Sequence, residues 1–242
     1  MNGCNFDCAS KTEIREITTI KRELETDTDI VFANPIKMNT HLQYASKVGV
    51  QYMTVDCPEE LEKIEKYHDN AKVILRIAVD DSKSLCKFNS KYGMFLESDN
   101  LKRFFDKFDT LVKSKLVGVS FHVGSGCWSS DSYKTAIENS RECFDFAEKR
   151  GYKLNVLDIG GGFVQKEPFI SDVSSVINNS IKDQFSSLNP KVIAEPGRFF
   201  VENIADLYVK VIGKKTENGV IKYYVNNSVY GDFNCKIFDY AQ

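Results

Sequence analysis

A TIM-type (β/α)8 barrel short of its first strand, followed by the beginning of an all-β region, is the α/β fold that the sequence predicts. Three observations predict it. Short apolar or β-branched runs alternate with longer amphipathic ones, as parallel strands and their connecting helices do. No G-x-G-x-x-G fingerprint of an open dinucleotide-binding sheet is present. Chemically distinctive residues fall at or just past the ends of successive strand-like runs: Asp7, Asn34, Asp56, Arg76, His122, the Gly160-Gly161-Gly162 turn and Glu195. A parallel barrel gathers those ends on one face, where barrel active sites are built, whereas an open sheet spreads them along a line.

In chain order the predicted strands are 5–9, 30–33, 51–55, 73–78, 116–122, 153–159 and 191–195, each a short run of the β-forming kind. The predicted helices are 12–25, 40–48, 58–67, 99–113, 130–150 and 169–187. In the fifth of these, Tyr133, Ile137, Cys143, Phe144 and Ala147 recur at helical spacing, so one face packs on the sheet. After Glu195 the pattern changes to strand-like runs at 205–212, 220–225 and 234–238, with a turn at Glu217-Asn218-Gly219 and no helix between them. The expected division is therefore an incomplete barrel over 1–204 and the start of a C-terminal β domain over 205–242.

At 242 residues the chain is long enough for a sizeable core, and 42% hydrophobic with 27% charged residues is ordinary globular usage. A net charge of −2 gives no footprint for nucleic acid. No apolar run approaches the roughly 20 residues of a membrane span, and Met1-Asn2-Gly3-Cys4 opens no basic-then-apolar leader, so a cytoplasmic location is expected. Seven scattered cysteines read as reduced thiols, and the Cys4/Cys8 pair lacks a second pair to complete a zinc site.

Three motifs carry chemistry. Phe121-His122-Val123-Gly124-Ser125-Gly126 ends a buried-looking strand and sets an imidazole beside a turn rich in backbone donors; it can stack on a flat ring, or it is a hydrogen-bonded core histidine. Leu157-Asp158-Ile159-Gly160-Gly161-Gly162-Phe163 offers backbone N–H groups to an anion such as phosphate, or is a tight structural turn. In Ile193-Ala194-Glu195-Pro196-Gly197-Arg198 the guanidinium suits phosphate and the carboxylate suits a protonated ring nitrogen, the alternative being a local ion pair. Ring stacking, phosphate binding and ring-nitrogen pairing on one barrel face together fit pyridoxal 5′-phosphate.

The blocks Phe6 to Ile14, Val31 to Lys37, Leu75 to Lys83, Ser120 to Cys127, Leu157 to Phe163, Ala194 to Phe200 and Tyr224 to Cys235 resemble, in order, those of the eukaryotic ornithine decarboxylases. These are fold-type III pyridoxal-phosphate enzymes with a barrel followed by a β domain. The resemblance implies that His122 stacks on the cofactor ring, that Glu195 holds its pyridine nitrogen, and that Ser125, Gly161, Gly162 and Arg198 bind its phosphate. It implies that Asp7 and Arg76 support the surroundings of the cofactor-bearing lysine, that Tyr230 lies at a subunit interface near phosphate and substrate, and that Asp239 receives the substrate's distal ammonium. Its implied reaction converts L-ornithine, or lysine as the near alternative, in a homodimer, with 39–66 matching an antizyme-contacting surface.

Two family blocks have no counterpart. The Pro-Tyr/Phe-Tyr-Ala-Val-Lys block carrying the lysine is absent, matching the missing strand, and so is the Trp-Gly-x-x-Cys-Asp-type block, Trp128 being the only tryptophan. Asn227-Ser228 stand where the family has Asp-Gly. The expectation is a piece of a decarboxylase, inactive by itself, with a noncatalytic relative like the antizyme inhibitors as the alternative.

Overall fold

The computed structural model describes residues 4–238. Its elements run β1 (Phe6–Cys8), α1 (Lys11–Glu23), β2 (Ile30–Phe32), α2 (Asn39–Lys47), β3 (Tyr52–Val55), α3 (Pro58–Tyr67), β4 (Lys72–Arg76), β5 (Ser84–Cys86), α4 (Ser98–Phe108), β6 (Lys115–Ser120), β7 (Ser125–Cys127), α5 (Ser130–Lys149), β8 (Val156–Asp158), α6 (Phe169–Phe185), β9 (Lys191–Ile193), α7 (Gly197–Val201), β10 (Val211–Glu217), β11 (Val220–Val225), a 3-10 turn (Asp232–Asn234) and α8 (Cys235–Phe238). Seven strands form one parallel sheet in the order β1-β2-β3-β4-β6-β8-β9. Helices cover its outer side, which is the incomplete barrel that the alternation of runs predicts. The sheet's edges are β1 and β9. From β9 the Lys191 side chain reaches Asp29, the residue before β2, at 3.4 Å.

Helix starts follow local chemistry. Ser10 caps α1 by accepting the Glu13 N–H at 3.3 Å, while Glu13 reaches back to the Ala9 N–H at 2.5 Å, a reciprocal cap. Pro58 opens α3, where its missing N–H costs nothing. The α4 stripe Leu101, Phe104, Phe105 and Phe108 is buried at i, i+3, i+4 and i+7. In α5 the five residues expected to face the sheet are all buried. This helix stops where predicted, but α4 ends five residues early, because the Glu65 carboxylate accepts the Val112 and Lys113 N–H groups at 2.9 Å and draws the backbone out of the helix.

The C-terminal expectation is corrected in part. Asn218 (φ 48°) and Gly219 (φ 77°) turn β10 into β11 as the sequence predicts, but strand begins only at Val211 within the predicted 205–212. No strand forms over 234–238. Asn227 Oδ1 accepts the Ser228 and Asp232 N–H groups at 2.8 and 3.1 Å, curling the chain into a 3-10 turn that runs on into α8. The short antiparallel pair β5–β7 carries no sequence signal strong enough to predict it.

One core feature sets a pH dependence. His68 is 2% exposed; its Nδ1 accepts the Asn70 N–H at 3.2 Å, which leaves the proton on Nε2 to donate to Val50 O at 2.8 Å. Burial holds its pKa below the ordinary value, so the folded chain keeps it neutral while the unfolded chain takes up a proton near pH 6.5. The stabilisation is present above that pH and is lost as pH falls towards the folded pKa. Urea midpoints are therefore expected to show the wild type's advantage over His68→Gln at its largest above pH 7 and shrinking towards pH 5. An advantage that holds constant over that range contradicts the assignment.

Candidate active site

The strand ends deliver their side chains to one mouth. Asp7 lies within β1, Arg76 ends β4, His122 lies two residues past β6, Ser125 opens β7, Gly161 and Gly162 follow β8, Glu195 follows β9 and Arg198 sits in α7. His122 Nδ1 accepts the Gly124 N–H at 3.0 Å, so its proton sits on Nε2. Burial, then the nearby Arg76 charge, pushes its pKa down to about 3, which makes it a neutral, flat, stackable ring.

Beside it the glycine turn is tight. Gly161 passes so close to His122 that an added Cβ would lie 3.0 Å from Nε2 and 2.5 Å from Glu195 O. Gly162 has φ +97°, and a Cβ there would strike Gly124 O at 2.4 Å. The Tyr133 hydroxyl donates to Gly161 O at 3.1 Å and fixes the turn from below. Arg198 Nε donates to Ser125 Oγ at 2.9 Å, joining two groups 73 residues apart, and a Cβ on Gly197 would meet nothing within 4 Å. Backbone, hydroxyl and guanidinium donors thus collect beside open space, the donor set that a phosphate takes.

The opposite side of the mouth is acidic. Burial and the adjacent Asp158 raise Glu195 well above the usual carboxylate range, and burial likewise raises Asp158. Glu195 Oε1 and Asp158 Oδ2 are fully buried without a hydrogen-bond donor. Two carboxylates cannot satisfy each other without a proton, so one shared proton or a cationic N–H is what this pair demands. Asp7 stays open to water at the rim, yet protein crowding, Glu195 and Glu13 shift it upward, with Arg76 opposing. A protonated pyridine nitrogen answers the orphaned Glu195 oxygen, the neutral imidazole suits the ring face, and the Ser125–Arg198 corner suits its phosphate. On those observations pyridoxal 5′-phosphate fits the residues present.

Tyr230 is not brought to this mouth within the chain; it is 99% exposed, its backbone N–H bonded to Ser228 Oγ at 3.2 Å. Asp239 lies outside the described residues. Sequence reasoning assigned no role to Asp158, although a charged residue inside the apolar run 156–159 is a signal that could have marked it. Phe88 and Tyr92 were also missed: the first sets its ring edge against His122 at 5.0 Å and 66°, and the second lies 5.2 Å from the Arg76 guanidinium. Both come from a loop with no motif.

Comparison with known proteins agrees with the cofactor. Residues 1–202 match the family model described as pyridoxal-dependent decarboxylase, pyridoxal binding domain. The chain is 42% identical over 255 residues to antizyme inhibitor 2 of Xenopus laevis, covering 99% of this chain and 55% of that protein. It is 38% identical over 262 residues to ornithine decarboxylase of Mus musculus, covering 99% and 54%. The chain therefore spans about half the length of the curated relatives it matches. Among solved structures, the Paramecium bursaria Chlorella virus arginine decarboxylase bound to agmatine superposes with a TM-score of 0.89 at 37% identity, over 98% of this chain and 63% of that one.

Proposed function

We propose, because this chain belongs to the pyridoxal-dependent decarboxylase family, that its gene product removes the α-carboxylate of L-ornithine as carbon dioxide and releases putrescine, with lysine as the competing substrate. The observation that carries the reading is the orphaned, buried Glu195 Oε1 on the same mouth as neutral His122 and the Ser125–Arg198 pair. When bound, pyridoxal 5′-phosphate supplies a ring that accepts the electron pair left by the departing carboxylate. In this reading Glu195 keeps a proton on the ring nitrogen, and Arg76 tempers the carboxylates around it. His122 holds the ring plane by stacking, and Gly161, Gly162, Ser125 and Arg198 anchor the phosphate so that the reacting bond is oriented.

Asp239 takes the substrate's distal ammonium in this reading, since an unpaired ammonium in a closed pocket is costly. The full exposure of Tyr230 suits a residue that meets a second copy in a homodimer. We place the pyridoxal-binding unit at 1–204, the start of a second, β-rich unit at 205–242 and the protein in the cytoplasm. Ornithine and lysine differ by one methylene, which an apolar wall discriminates only about 10- to 200-fold, so relative rates have to be measured.

The phosphate assignment is tested by Arg198→Ala. Losing one charge-assisted anchor is expected to weaken pyridoxal 5′-phosphate binding about tenfold to a hundredfold in equilibrium dialysis followed by absorbance. Unchanged affinity removes Arg198 from the site. For the reaction, labelled carbon dioxide is collected from carboxyl-labelled ornithine and lysine with the complete gene product, and release of neither defeats the decarboxylase reading. The 42% identity to antizyme inhibitor 2 favours a second reading, a noncatalytic chain that binds an antizyme. Tight antizyme binding with no turnover would establish it.

A further inference from the structure

The loop between β4 and α4 contributes no residue to the inferred phosphate or ring-nitrogen contacts, yet one carboxylate in it is buried. Asp80 and Asp81 are adjacent, but Asp80 is exposed and only closes a local turn, accepting the Ser82 N–H at 2.9 Å, whereas Asp81 is 1% exposed. Asp81 Oδ2 accepts two consecutive backbone donors, the Phe88 N–H and the Asn89 N–H, the latter at 2.8 Å. Those bonds start a turn that closes on itself, with the Lys91 and Tyr92 N–H groups bonded to Phe88 O at 2.9 and 3.0 Å. Both aromatic residues of the turn lean on the mouth, Phe88 on His122 and Tyr92 on Arg76. The base of the loop is tied down separately, through Ser84 Oγ to Val123 O and the pairing of β5 with β7.

We infer that Asp81 is a positioning residue for the cofactor site, because its one accepting oxygen holds turn 88–92 so that Phe88 backs the His122 ring and Tyr92 backs the Arg76 guanidinium. Without those bonds the N-terminal side of the turn has two unmatched N–H groups, and only its far end stays tied, by the Gly93 N–H to Asp56 Oδ2 at 2.9 Å, so the Phe88 side relaxes towards solvent. Water then reaches His122, and the desolvation that keeps its imidazole neutral is relieved. Arg76, the charge that faces His122, loses its aromatic cover in the same step. A ring that has to stack flat is left unsupported on one side.

The inference rests on the pyridoxal reading only for its affinity measurement; its primary measurement needs no cofactor. The chain has three histidines, so imidazole NMR signals are assignable by His41→Gln and His68→Gln. In the cofactor-free chain, Asp81→Ala is expected to raise the His122 titration midpoint by about one pH unit or more. Asp81→Asn keeps an accepting oxygen and is expected to restore the wild-type signal, and Asp80→Ala is expected to leave it unmoved. Phe88→Ala leaves the Asp81 bonds intact and is expected to raise the midpoint as Asp81→Ala does, which keeps the test decisive if Asp81→Ala fails to fold. Pyridoxal 5′-phosphate affinity is expected to fall about tenfold in Asp81→Ala and to be rescued by Asn. A folded Asp81→Ala or Phe88→Ala chain with an unshifted His122 overturns the inference, and so does an Asn variant as impaired as Ala. If the His122 signal moves while wild type binds no cofactor, the positioning of the turn stands and the pyridoxal reading falls.

Discussion

Glu195→Gln is expected to cut decarboxylation by the complete gene product on the order of a hundredfold to a thousandfold, and at the same time to stabilise the cofactor-free fold. The rate loss follows from charge: a neutral amide cannot hold a proton on a pyridine nitrogen as a carboxylate does, and removing one preorganised electrostatic group from an active site costs about that factor. The gain in stability follows from the orphaned atoms. Glu195 Oε1 and Asp158 Oδ2 face each other's surroundings with no donor. A glutamine amide brings one, and satisfying a buried acceptor is worth about 1 kcal/mol or more. The pH dependence fixes the sign. Both carboxyls are raised in the folded chain, so between the ordinary carboxylate pKa of about 4 and their raised values the folded chain binds more protons than the unfolded chain. Wild-type stability is thus fully present at low pH and declines as pH rises through that window. Calorimetric melts are expected to put Glu195→Gln a few degrees above wild type at pH 8, with the difference shrinking at pH 5. A variant that melts below wild type at pH 8 would show that the two carboxyls do not repel, and the cation-seeking account of the site would go with it.

Gly118→Ala is expected to be strongly destabilising. Gly118 pairs with Val156 where β6 meets β8, and a Cβ there would lie 2.3 Å from Val156 O and 2.6 Å from Val156 Cβ. Neither atom can swing away, because the first is backbone and the second is fixed by it. The strands have to part, carrying with them the connections to His122 and to the Gly160-Gly161-Gly162 turn. Overpacking of this kind costs about 3 kcal/mol at the upper end of its usual range, or roughly 6–12 °C of melting temperature for a chain of this size. Gly118 is absent from the positive-φ positions, so the cost is steric and not conformational. A melt within a degree or two of wild type would mean that the β6–β8 spacing is looser than described.

Legibility in the sequence tracked the range of the interactions involved. The α5 face was readable because side chains on one helix face recur with the helix's own period, and all five expected residues are buried. The turn at Asn218-Gly219 was readable because a two-residue turn needs positive φ, which these residues supply. The run 234–238 misled: its apolar residues look strand-like, but the bonds that Asn227 makes across five residues to Asp232 decide the local conformation. The early end of α4 depends on Glu65, which arrives from another helix, so no window around 108–113 contains the cause.

The candidate site divides along the same line. By itself, the sequence determined which side chains end the strands: His122, Glu195, Arg76 and the glycine turn owe their place to the alternation of runs, because in a parallel sheet every strand end points the same way. Only the tertiary structure decided which of those groups meet and which carry an unmet need. It joined Ser125 to Arg198, set Glu195 and Asp158 together with buried oxygens that no donor meets, and buried Asp81 while leaving Asp80 in water. The reason is physical. Strand order and side-chain direction are local properties of the backbone, whereas desolvation and hydrogen-bond satisfaction belong to the assembled surroundings, and two adjacent aspartates differ in nothing else.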